Sequence, residues 1–259
     1  MSTAARENRP LAAQAASPAW PVLVLVVFAA ASWAVTVARM QGMDMGPGTD
    51  LGGVGWFAVV WLTMMAAMML PSLSPMAVAC SCAPGRGPAA SIARTGAFAA
   101  GYLLAWVLFG ALAYALIEGV RSLDPDFLAW DRAGRYLAGG VILGAALYEL
   151  TRAKRTCLRH CRDAHLLRRR PGAAGALTMG LGQGGFCVGC SGALMAALFA
   201  LGVMSIAWML VVAVLIAIEK LLPWTVVAVG TTAAVLVLLG LAVMAVPAQV
   251  PWLTIPMPM

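Results

Sequence analysis

Seven long apolar runs constrain the fold of this chain more than any other feature. A helix needs roughly 20 residues to cross about 30 Å of hydrocarbon. The runs occupy approximately residues 20–38, 55–78, 94–118, 134–151, 174–201, 203–222 and 224–247. They are continuously apolar, whereas the strands of an outer-membrane barrel alternate apolar and polar residues. The sequence therefore predicts an all-α fold, a polytopic transmembrane helical bundle with about seven spans.

The polar parts of the chain are too short to form a soluble domain. Charged residues make up 10 % of the 259 residues, whereas a soluble domain carries about 25 %. We expect a cytoplasmic tail over 1–19, a helical transmembrane domain over 20–247 and an external tail over 248–259. Near Gly202 the fifth and sixth runs form either a tight hairpin or one broken helix.

The distribution of basic residues predicts the orientation of the bundle. With a cytoplasmic N-terminus, 13 of the 17 Lys and Arg residues fall inside, eight of them between 152 and 170. This asymmetry follows the positive-inside rule and predicts an external C-terminus, in a bacterial inner membrane. Because membrane topology explains the net charge of +7, no nucleic-acid partner is expected. The first run is long for a signal peptide, so we expect a retained helix.

A ladder of methionines lies in the second run. Met64, Met65, Met68 and Met69 precede Pro71, and the i, i+4 spacing places Met64 beside Met68 and Met65 beside Met69 on the helix. Thioether sulfur is a soft ligand that suits Cu(I). Methionine also serves as flexible apolar packing, so the ladder alone indicates either a metal site or a core.

The fifth run contains a C-x-x-C pair, Cys187 and Cys190, within a glycine-rich segment that continues to Met195. On a helix this spacing brings two sulfurs close enough to bind one metal ion or to form a disulfide. The glycines allow another helix to approach closely. The alternative is a pair of small buried residues in a packing face. We expect Cys187 or Cys190 to lie near the methionine ladder.

Further sulfur and imidazole groups fall on the predicted cytoplasmic side. If the basic loop is helical, several of them share one stripe and suit copper or Zn(II); otherwise they are incidental to a solvated loop. These weaker candidates are Cys157, His160, Cys161, His165, Cys80 and Cys82. Glu219 and Lys220 end the sixth run, where we expect an ion pair with a snorkelling lysine.

A methionine-rich loop lies on the predicted external side. Met40, Met43 and Met45 surround Asp44, a combination that suits weak and exchangeable Cu(I) capture. Incidental surface methionines are the alternative.

Three segments together resemble a known family. The first two are Trp61-x-x-Met64-Met65-x-x-Met68-Met69-x-Pro71 and Cys187-x-Gly189-Cys190-x-x-x-Leu194-Met195, and the third is Phe199-x-x-Gly202-Val203-Met204-x-x-x-Trp208-Met209 ending in Glu219-Lys220. Over about residues 55–222 they resemble the bacterial predicted metal-binding integral membrane proteins, a domain of unknown function. The resemblance implies a helical inner-membrane protein that binds metal. That family often has a further cysteine where this chain has Ser191, which makes methionine ligands more important here.

These features favour a membrane protein that handles metal. The first hypothesis is a protein that binds Cu(I) through Met and Cys for transport or for delivery to a membrane metalloenzyme or metallochaperone. Zinc is a second candidate metal, since it also accepts Cys and His. One alternative is a transmembrane thiol-disulfide oxidoreductase using Cys187 and Cys190, with Cys157 and Cys161 as an inner couple. The other is an assembly subunit without chemistry of its own.

Overall fold

The protein is described here by a computed structural model that covers residues 20–40, 53–81, 87–123, 133–162, 171–201, 205–222, 225–247 and 250. Within these ranges every regular element is helical, as the sequence predicts. The helices are α1 (Trp20–Met40), α2 (Val54–Ser81), α3 (Pro88–Leu123), α4 (Arg135–Glu149), α5 (Arg152–Arg162), α6 (Gly172–Leu201), α7 (Ile206–Leu221) and α8 (Thr225–Ala245).

Five helices are long and apolar enough to cross a membrane, namely α1, α2, α3, α6 and α8. Helices α4 and α7 coincide with two further apolar runs but have only 15 and 16 residues. These lengths fall short of the roughly 20 residues that an untilted span needs. The described residues therefore form an all-helical fold with five candidate spans, while the total of seven spans remains a prediction.

Helices α3 and α6 form the most extensive helix pair and run in the same direction. The backbone of Phe98 lies against Gly180, and the backbone of Tyr102 lies against Gly184. A Cβ atom at Gly184 would lie only 2.6 Å from the Cβ of Ala105. The missing side chain therefore allows the close approach, as small residues do between membrane helices.

Helix α7 turns back along α6. Ser205 caps its first turn by accepting a hydrogen bond from the backbone of Trp208. At the other end of α7, the Lys220 Nζ atom lies 3.0 Å from the sulfur of Cys187, in the middle of α6. Since the last turn of α7 returns to the centre of α6, the two helices form a hairpin and not one broken helix.

Helix α5 is a short amphipathic helix inside the basic segment that separates the fourth and fifth apolar runs. Leu150 and Thr151 interrupt the helix between α4 and α5. Residues Lys154, Leu158 and Cys161 are buried, whereas Arg155 and Arg159 are exposed. The i, i+4, i+7 spacing of the buried residues places them on one face, and that face packs on α6.

Candidate metal centre

Three buried cysteine sulfurs converge in the core. The Sγ atoms of Cys161, Cys187 and Cys190 all lie within 4.8 Å of one another, and those of Cys161 and Cys190 are 3.4 Å apart. Two sulfurs that bind one ion at about 2.3 Å can be separated by at most about 4.6 Å. The three thiols are therefore close to the separations that a shared metal ion requires.

The C-x-x-C spacing provides two of the three ligands. Cys187 and Cys190 lie nearly one turn apart on α6 and are each 1 % exposed, so their side chains share one face. The Cys190 thiol donates to the carbonyl oxygen of Cys187 at 3.3 Å and contacts the Ser191 hydroxyl at 3.4 Å. The pair is thus held in the core of the protein.

Helix α5 provides the third thiol. The buried side chain of Gln183 donates to the carbonyl oxygen of Cys161 at 3.3 Å. This hydrogen bond joins the last turn of α5 to the middle of α6. One turn earlier, the Cys157 sulfur lies where a side chain at position 189 would be, 2.6 Å from a Cβ placed on Gly189. Both features favour docking of α5 on α6.

Polar groups from three other helices surround Cys187. The Tyr102 hydroxyl lies 2.9 Å from its sulfur, and the Lys220 ammonium lies 3.0 Å from it. Lys220 also donates to the Ser72 hydroxyl at 3.2 Å. An ammonium group so close to a sulfur atom stabilises a thiolate or an anionic metal–thiolate complex. The centre therefore joins α2, α3, α5, α6 and α7.

The surroundings of Cys161 favour its protonated form. Its hydrogen bonds with Cys187 and Cys190, together with burial, raise the pKa of Cys161 well above its ordinary value. Cysteine binds metal as the thiolate, so a metal ion must displace this proton.

A buried ion cluster lies on the same helix as Cys161. Lys154 donates to Glu149 at 2.8 Å and to Glu219 at 2.7 Å, and the lysine and Glu149 are both 0 % exposed. Burial alone would lower the pKa of Lys154, but the carboxylates of Glu219 and Glu149 outweigh it and raise the pKa. The expected pairing of Glu219 with its neighbour Lys220 is therefore wrong, because the fold brings Lys154 to Glu219 instead.

The methionine ladder lies in the core of the bundle. Met64, Met65 and Met69 are 0 % exposed and Met68 is 6 % exposed. They belong to the same connected apolar cluster as Cys187, Cys190 and Met195. Ser72, whose hydroxyl donates to the carbonyl oxygen of Met69 at 2.8 Å, links this part of α2 to Lys220. Direct approach of a thioether to Cys187 or Cys190 stays a prediction.

The weaker candidates fall into two groups. Cys157 packs on Gly189, and the His160 ring stacks on Phe186 with ring centres 4.5 Å apart. Neither residue belongs to the group of three thiols. Of the weaker candidates on the predicted cytoplasmic side, Cys161 is the one that joins Cys187 and Cys190. The remaining candidates have side chains outside the described residues: Cys80, Cys82, His165, Met40, Met43 and Met45.

Sequence reasoning missed Tyr102 and Ser72 as polar neighbours of the thiol centre, and Lys154 as the centre of the buried ion cluster on α5. Tyr102 and Ser72 carry no local signal, because single polar residues in apolar helices have many roles. Lys154 did carry one: the spacing of Lys154, Leu158 and Cys161 places a lysine on the apolar stripe of a short helix.

Three thiols form a soft ligand set of the kind that selects Cu(I). Comparison with curated proteins and with solved structures gave no significant match. A family described as "PpoB2: Copper chaperone" matches residues 58–243, which include α3 to α7 and most of α2 and α8. On this match over most of its length, the chain belongs to the PpoB2 copper chaperone family.

Proposed function

We propose that this protein binds Cu(I) at Cys161, Cys187 and Cys190 and delivers it to a membrane partner. The observation that carries the proposal is the convergence of three buried sulfurs within 4.8 Å. Structural zinc sites almost always have four ligands, whereas the group found among the described residues has three cysteines and no histidine or carboxylate. This set favours Cu(I), with Zn(II) as the alternative ion.

We further propose that methionine sulfurs form a second part of the copper path. Met69 lies one turn before Ser72, and Ser72 shares Lys220 with Cys187. A thioether site there would be buried and would offer Cu(I) soft, neutral ligands, which suit weak binding and ready exchange of the ion. Its ligands would come from Met64, Met65, Met68, Met69 and Met195. Met40, Met43 and Met45 would collect the ion at the external end of α1.

The orientation of the bundle assigns the copper path a cytoplasmic end and an external end. We propose seven spans in a bacterial inner membrane, with α4 and α7 as short spans and α5 on the cytoplasmic side. In this orientation the three-cysteine centre lies near the cytoplasmic end of the bundle, since α7 ends one residue after Lys220. The partner would be a membrane metalloenzyme or a metallochaperone that exchanges copper at one of the two ends.

The test is Cu(I) binding by the purified protein in detergent under anaerobic conditions, measured by competition with a chromogenic chelator. Wild type should bind Cu(I), and Cys187→Ser/Cys190→Ser should abolish the tight site. Cys161→Ser should weaken binding by about tenfold or more, because the loss of even an outer-shell partner of a metal site typically costs about tenfold to 100-fold in affinity. Cys157→Ser is the matched control, since this partly exposed cysteine lies on the same helix and should leave the affinity unchanged.

The 3.4 Å separation of Cys161 and Cys190 also supports a second candidate function, thiol-disulfide exchange. Both cysteines would be oxidised to a disulfide while the disulfide of a partner is reduced to two thiols. Thiol trapping after exposure to defined redox buffers distinguishes the two functions. If no reversible disulfide forms in any buffer, thiol-disulfide exchange is ruled out. If the serine variants keep both their bound copper and their exchange activity at the wild-type level, an assembly subunit is favoured.

A further inference from the structure

Lys154 is the only buried side chain of α5 that carries a full charge in the described part of that helix. It bonds two carboxylates from different helices, Glu149 at the end of α4 and Glu219 at the end of α7. The arrangement therefore ties one short helix to two longer ones through a single ammonium group.

Stability alone does not explain this cluster. Removing charges from water is costly, and well-packed apolar residues often stabilise a buried site as well as an ion pair does. The hydrogen bonds between an ammonium group and two carboxylates are directional, whereas an apolar contact is not. They hold α5 in one register relative to α4 and α7, whereas leucines would tolerate sliding.

The register of α5 matters because that helix carries a ligand. Cys161 follows Lys154 by seven residues, so that both lie on the face that packs into the bundle. The helix is short and is separated from α4 by a break at Leu150 and Thr151. At its other end, Arg162 donates to the carbonyl oxygen of Glu219 at 3.5 Å. The same glutamate therefore contacts both ends of the segment that presents Cys161.

We propose that Lys154 is a positioning residue for copper: by fixing α5 to Glu149 and Glu219 it holds Cys161 in the metal centre and gives the ion its third sulfur ligand. This inference rests on the proposed function, since it assumes that Cys161, Cys187 and Cys190 bind Cu(I). Without the ammonium group, α5 loses its register and the ion is held by the two cysteines of α6 alone.

The test compares wild type with Lys154→Met, which keeps the length and apolar stem of the side chain but removes its charge. The sulfur coordination number of bound Cu(I) is measured by X-ray absorption, and the affinity by chelator competition. Wild type should show three sulfur ligands. The variant should show two, with an affinity about tenfold to 100-fold lower, as loss of an outer-shell partner causes.

A double-mutant cycle separates positioning from general destabilisation. In a Cys161→Ser background the centre has already lost its third thiol, so Lys154→Met should cause no further loss of affinity. Equal losses in both backgrounds, or three sulfur ligands in Lys154→Met, would overturn the proposal. Glu149→Gln, which keeps a hydrogen-bond acceptor but removes one charge, supplies the same comparison if Lys154→Met does not fold.

The outcome for the wild type keeps the two proposals distinct. If wild type binds no Cu(I), or binds it equally well without Cys187 and Cys190, the proposed function fails. If wild type binds Cu(I) through three sulfurs and the Lys154 variants do the same with equal affinity, only the positioning role fails.

Discussion

The sulfur of Cys161 lies 3.4 Å from that of Cys190, although 29 residues separate the two cysteines along the chain. The contact joins a basic helix outside the long apolar runs to the centre of α6, one of the five candidate membrane spans. It explains why a C-x-x-C pair with no adjacent third cysteine belongs to a three-thiol centre: position 191 is serine, and the third sulfur comes from α5.

Mild oxidation of the metal-free protein should cross-link α5 to α6 through this contact. A disulfide requires the two sulfurs to approach to about 2.05 Å, a small movement from their present separation. A specific protease site placed between residues 163 and 170 provides the measurement. After cleavage, a Cys161–Cys190 disulfide keeps the two fragments joined on a non-reducing gel, and Cys161→Ser should separate them. Separate fragments in the wild type would contradict the contact.

Copper affinity should rise with pH. Because hydrogen bonds and burial raise the pKa of Cys161, the thiol is protonated near neutrality, and Cu(I) must displace the proton. For each proton released, the apparent affinity should therefore rise by about tenfold per unit increase in pH. Chelator competition between about pH 6 and pH 8 measures the slope. Cys161→Ser should show a shallower slope, and equal slopes would contradict the role of this thiol.

Replacement of Lys220 by methionine should weaken copper binding. Its ammonium lies 3.0 Å from the Cys187 sulfur, and a hydrogen bond to a charged group contributes about 1.5–3 kcal/mol. We expect a loss of affinity of about tenfold or more by chelator competition. Arg159→Met is the control, since it makes the same change in net charge at an exposed position of α5. Equal losses in the two variants would point to overall charge instead of the local contact.

The methionine ladder can be tested without disturbing the core. Met-to-Leu exchange nearly conserves volume and usually costs less than about 1.5 kcal/mol, but it removes the thioether. If the ladder binds copper, Met64→Leu/Met68→Leu should lower the amount of Cu(I) bound, measured by metal analysis after desalting. Met76→Leu is the matched control, since Met76 is also buried in α2, at 1 % exposure. Unchanged copper in both variants would assign the ladder to packing.

Close packing of α3 on α6 should depend on Gly184. A Cβ atom there would lie 2.6 Å from the Cβ of Ala105 and 2.7 Å from the carbonyl oxygen of Tyr102. We expect Gly184→Ala to destabilise the protein by about 1–3 kcal/mol, as overpacking does. Thermal unfolding in detergent provides the measurement. Gly185→Ala, where nothing lies within 4 Å, should be neutral or slightly stabilising, because alanine favours helix. A Gly184→Ala variant as stable as Gly185→Ala would contradict this packing.

The sequence by itself determined the helical class, because apolar runs of membrane-crossing length leave the backbone no other way to satisfy its hydrogen bonds. It also identified Cys187 and Cys190, since neighbouring turns of one helix fix their relative position without reference to the rest of the fold. Five candidate spans agree with the predicted helical class, and the match to a copper chaperone family agrees with the predicted binding of metal.

Only the tertiary structure decided which residues complete the centre. The sequence groups Cys161 with Cys157 and His160, because spacing reports neighbours on the same helix and says nothing about contacts between helices. The fold separates that group, since docking of α5 places Cys157 on Gly189 and Cys161 beside Cys190. The fold likewise brings the Lys220 ammonium to the Cys187 sulfur and pairs Lys154 with Glu219. Contacts over 29 or more residues depend on how helices pack, and packing is a property of all their surfaces together.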